Sequence, residues 1–92
     1  MNKTTRNRVK KLCDIFIEDM RASLELLKEE LEEIKNEEEQ KIENTPENLQ
    51  ESERYNRMVS AFEYLEEASE NIEEMESYLE YLESNLNEAI EA

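Results

Sequence analysis

The chain of 92 residues contains no glycine, no histidine, no tryptophan, one proline and one cysteine. Each absence excludes something. Without glycine there is no phosphate-cradling Gly-rich loop. Without histidine there is no Glu-x-x-His di-iron motif, no ordinary zinc site and no base for a nucleophilic triad. The lone Cys13 has no internal disulfide partner, which fits a reducing cytoplasm, and its place in an apolar helical stripe reads as filler. No run approaches the roughly 20 apolar residues that span a bilayer. The short "LCDIFI", interrupted by Asp14, is too short for a signal sequence. A cytoplasmic protein with no cofactor, no metal and no membrane contact is expected.

What is present is charge and helical period. Charged residues make up 40% of the chain and the net charge is −15, a balance that without patterning would mean disorder. Yet Cys13, Ile17, Met20, Leu24, Leu27, Leu31 and Ile34 step by fours and threes. So do Met58, Ala61, Leu65, Ala68, Ile72, Met75, Leu79, Leu82, Leu86 and Ala89. Both are heptad seams, with Tyr55 and Phe62 widening the second. They predict an all-α protein of one domain: a helix over about 4–43, a turn near 44–46 and a helix over about 47–91.

The proline marks the corner. In "NTPENLQESER", Pro46 suits the first position of a helix, Thr45 suits its N-cap and Glu47 complements its dipole. A later start capped by Asn48 or Ser52 is the alternative, with a loop of up to eight residues. If the turn is centred at 44–45, residue i faces residue 89 − i. Leu31 then meets Met58, Leu27 meets Phe62, Leu24 meets Leu65 and Ile17 meets Ile72. The expected hairpin core is therefore Ile17, Met20, Leu24, Leu27, Leu31, Ile34, Met58, Phe62, Leu65, Ile72, Met75 and Leu79. The same register lays the basic start (Lys3, Arg6, Arg8, Lys10, Lys11) beside Glu80, Glu83 and Glu88.

Two long helices alone leave much apolar surface wet. A second stripe, Leu12, Ile15, Ala22 and Leu26, lies on another face of the first arm. Tyr78, Tyr81 and Ile90 lie near the end of the second. These residues predict self-association, most simply an antiparallel homodimer forming a four-helix bundle.

Three readings of function follow. Glu66, Glu67 and Glu70, with Glu73 and Glu74 after them, have the carboxylate spacing of helical Mg²⁺-dependent nucleotide hydrolases. No Lys or Arg follows to hold phosphates, and a solvated face is the plainer reading. The basic start suggests a nucleic-acid arm, but residues 12–92 sum to −20 once its five cations are set aside and would repel a polyanion. Direct nucleic-acid binding is not expected. The third reading takes the acid itself. Glu63, Glu66, Glu67, Glu70, Glu73, Glu74 and Glu80 form an outward carboxylate track suited to a basic protein groove, as a nucleic-acid mimic would be. A purely structural coiled-coil protein is the alternative.

The stretch "PENLQESERYNRMVSAFEYLEEA", with its basic start and "LKEELEEIKNEEE" first arm, resembles small acidic helical-hairpin proteins of bacteriophages and other mobile elements. "P-E-x-L-Q-E-S-E-R" is its most recognisable piece. Tyr55 stands where other members usually carry a small residue. The resemblance implies a cytoplasmic accessory protein that acts by binding a host protein, as an anti-defence inhibitor does. It supplies no activity and no catalytic residue.

Overall fold

A computed structural model describes every residue from Met1 to Ala92. There is no strand. Helix α1 (Lys3–Lys11) runs through a π-helical segment, Leu12–Ile17, into α2 (Glu18–Glu43); a short 3-10 turn, Glu47–Leu49, precedes α3 (Glu53–Glu91). The Asn2 side chain caps α1 by accepting from the Thr5 amide at 2.9 Å.

The corner is built without any positive φ, as a glycine-free chain requires. Pro46, at φ −58° and ψ 146°, leaves the helical region and halts α2. Thr45 does not cap the following long helix. Its hydroxyl instead donates back to the Lys41 carbonyl at 2.8 Å, closing the last turn of α2. The Leu49 amide donates to the Pro46 carbonyl at 2.9 Å, so the proline opens the 3-10 turn and not α3. Ser52 is the true N-cap: its Oγ accepts from the Tyr55 amide at 3.2 Å and donates to the Leu49 carbonyl at 2.7 Å. The second long helix therefore starts at Glu53 and not near residue 47.

The chain forms two compact units. The terminal unit combines Met1–Leu26 with Glu73–Ala92; the central unit is Leu27–Ile72. In the terminal unit Arg21 Nη2 donates to Glu83 Oε2 at 2.7 Å, tying α2 to α3 through residues 62 apart in sequence. Helical side chains lean about one turn toward their own N-terminus, so these tips meet at the level of Ile17 and Leu79. Both of those residues are buried. Within the terminal unit residue i therefore faces residue 96 − i. There the expected register of 89 − i is off by one heptad.

The seam is also rotated. With Ile17, Leu24, Leu31, Leu65, Ile72 and Leu79 assigned to heptad position a, position d holds Met20, Leu27, Ile34, Met75 and Leu82, and position e holds Arg21, Lys35, Phe62, Glu76 and Glu83. The helices close on a and e. Ile17, Leu24, Ile72 and Leu79 are buried, and the e residues named are half-buried. At d, by contrast, Met20 is 41% exposed, Met75 53% and Leu82 43%. Met20, Leu27, Ile34 and Met75, predicted to be core, are surface residues of the single chain, whereas Leu31, Met58, Phe62 and Leu65 are half-buried. A salt bridge on the e flank accounts for the rotation in the terminal unit, since Arg21 and Glu83 meet only if that flank turns inward.

The π-helical segment adjusts the phase further upstream. A strict heptad continued back from Ile17 would turn Lys10 inward. The wider turn takes up one extra residue, and Val9 and Cys13, four apart and four from Ile17, become half-buried instead while Lys10 stays exposed.

Candidate interaction surfaces

The acidic track occupies the outer side of α3. Glu63, Glu66, Glu67, Glu70, Glu73, Glu74 and Glu80 are all exposed, at heptad positions b, c and f. None forms an ion pair within the chain, and α3 has no Lys or Arg after Arg57 to neutralise it. Glu66, Glu67 and Glu70 do not belong to any group of three or more side chains placed to hold a metal ion.

The cations are distributed differently from the sequence expectation. Arg21 bridges Glu83 and also Glu18 on its own helix. The Glu83 hydrogen bond, then the Glu18 one, raises its pKa above the ordinary arginine value, so it is charged throughout the working range. The basic start does not pair with Glu80, Glu83 or Glu88. No carboxylate lies within ion-pair distance of Lys3, Arg6, Arg8, Lys10 or Lys11. Glu83 is taken by Arg21, which lies outside the basic start.

The residues expected to mediate self-association do not share one surface. Ile15, Ala22 and Leu26, each two residues from an inward a position, face away from the partner helix; Leu12 is also exposed. Tyr78 and Tyr81 are exposed and touch edge to face, their ring centroids 6.2 Å apart. Ile90 is half-buried at an e position, on the flank opposite Tyr78.

The structure shows a different apolar grouping in the terminal unit. The e residues Arg21 and Glu83 touch on one side of the helix pair, so d and g lie on the other side in both helices. That side carries Phe16, Met20, Met75, Tyr78 and Leu82, all exposed. Phe16 and Leu82 were missing from the expected interface. Their signal was nevertheless present: across α3 the residues at a, d and g include no Asp or Glu, though the helix is rich in Glu elsewhere. In the central unit, Leu27, Ile34 and Tyr64 are exposed at the same heptad positions. At the corner, a groove of about 810 Å³ is lined by residues including Lys41, Leu49, Arg54, Tyr55 and Met58; both signs of charge border it.

No helix is long and apolar enough to cross a membrane. No protein-family model, curated protein or solved structure matches the chain.

Proposed function

We propose that the protein is a non-enzymatic, self-associating acidic interaction module. On this reading it is a phage or mobile-element accessory protein whose carboxylate track occupies a basic groove on a host nucleic-acid-binding protein, in the manner of a nucleic-acid mimic. One observation carries the reading. Seven glutamates on the outer side of α3 are exposed and have no internal counter-charge. Such a surface attracts a cationic partner over distances of about a Debye length, ~8–10 Å at physiological salt.

The test is capture from bacterial lysate with the intact protein as bait at low salt. The expected result is a basic nucleic-acid-binding protein that is released as salt rises and is not retained by the Glu66→Lys/Glu67→Lys/Glu70→Lys variant. Equal retention by that variant rejects the acidic track as the binding surface.

A purely structural, self-assembling role is favoured by a separate observation, the exposed apolar side bearing Met20, Met75 and Leu82. Under that reading, reversing the outward glutamates leaves the cellular effect of the protein unchanged.

A further inference from the structure

We infer that Phe16, Met20, Met75, Tyr78 and Leu82 form a two-fold interface with a second copy of this chain, which completes a four-helix core. The inference deepens the self-association part of the proposed reading and rests on it. It is independent of the acidic track.

Pattern and burial do not match. In a two-stranded coiled coil the a and d residues both face the single partner. Here Ile17, Leu24 and Leu79 at a are buried and the small Ala89 at d is half-buried, but the large d residues are not covered: Met75 is 53% exposed and Leu82 43%. In a four-helix bundle each helix touches two neighbours, and a and d together point at the common centre. The a/e contact seen within the terminal unit is one of those two neighbour contacts. The d/g side is shaped for the other, and the terminal unit has no further helix to supply it.

Charge decides the occupant. With a net charge of −15, two copies repel unless they meet where neither carries carboxylate. The residues at a, d and g of α3 include no Asp or Glu over its whole length, and at the facing positions of the terminal unit the first arm offers Phe16, Met20 and Ser23. A basic protein would find its complement on the glutamate-rich b, c and f positions and nothing charged to hold on this side. An anionic membrane surface would be repelled by the rest of the chain. A second copy brings the one surface of matching size, apolarity and neutrality. A two-fold contact of this kind is self-complementary. Tyr78, 70% exposed, is placed to bury its ring there while its hydroxyl stays at the rim.

The experiment is sedimentation equilibrium on the full chain and three variants, with circular dichroism to check helicity. The expected result is a dimer for the natural sequence. Met75→Glu/Leu82→Glu sediments as a monomer, and Ile15→Glu/Leu26→Glu, on the opposite side of the first arm, remains a dimer. Tyr78→Lys changes a side chain that makes little contact within one chain, so it leaves the hairpin folded and weakens dimerisation at least tenfold. If Met75→Glu/Leu82→Glu loses its helices, Tyr78→Lys alone decides. A natural chain that is monomeric at high concentration overturns both this inference and the self-association part of the proposed function. A dimer that survives Tyr78→Lys but splits with Ile15→Glu/Leu26→Glu overturns this inference alone. Loss of partner capture with the dimer intact bears only on the acidic track.

Discussion

Arg21 and Glu83 meet at 2.7 Å although neither lies in the apolar pattern that defines the helices. In the terminal unit their contact places the e flank of both helices inward and leaves Met20, Met75 and Leu82 outside.

Charge reversal tests that relationship. Arg21→Glu and Glu83→Arg, made singly, should each lower the thermal midpoint, because like charges then share the seam. The double swap should restore most of the loss. Melting followed by circular dichroism at low salt reads the pattern, which should flatten at high salt as screening grows.

Burial distinguishes residues that the heptad treats alike. Ile17, 2% exposed, should lose about 2–5 kcal/mol of stability on truncation to Ala. Met75→Ala should lose much less in dilute solution, since its side chain is half exposed in the single chain. Urea titration at two protein concentrations separates the cases.

The location of the second helix's first turn is open to a cap substitution. Ser52→Ala removes the oxygen that accepts from the Tyr55 amide and should cost about 0.5–2 kcal/mol. Asn48→Ala, in the 3-10 turn, should be close to neutral. Equal losses at both positions would contradict a start at Glu53.

The π-helical turn holds one residue more than an α-helix needs. Deleting Asp14, exposed within it, should convert the segment to α-helix and leave Val9 and Cys13 facing inward, with the thermal midpoint little changed. Inserting one alanine after Asp14 should lower it. The two melting curves check the assignment.

The helices and the break at Pro46 were legible because period and proline act locally. The register was not. A slip of seven residues replaces each apolar layer by another apolar layer, Leu27 opposite Phe62 or Ile34 opposite Phe62, so pattern matching tolerates both. Only a contact between the arms separates them, and in the terminal unit that contact is Arg21 with Glu83. The inward flank was also illegible from apolar spacing. Met20 and Arg21 are equally good neighbours of Ile17 and Leu24, and it is the position of Glu83 on the other helix that chooses Arg21. The acid-free positions of α3 were readable all along, but from where glutamate is missing and not from where leucine recurs.

Since no residue has a positive φ, the bend at 44–52 asks for no backbone conformation that an ordinary L-amino acid resists. Alanine can replace any residue there without torsional penalty in the folded chain, so a scan through the bend reports what each side chain contributes, Pro46→Ala alone also loosening the unfolded chain. The corner is held by the Thr45 and Ser52 hydroxyls, the Gln50 amide and one pyrrolidine ring, and can be dismantled one group at a time.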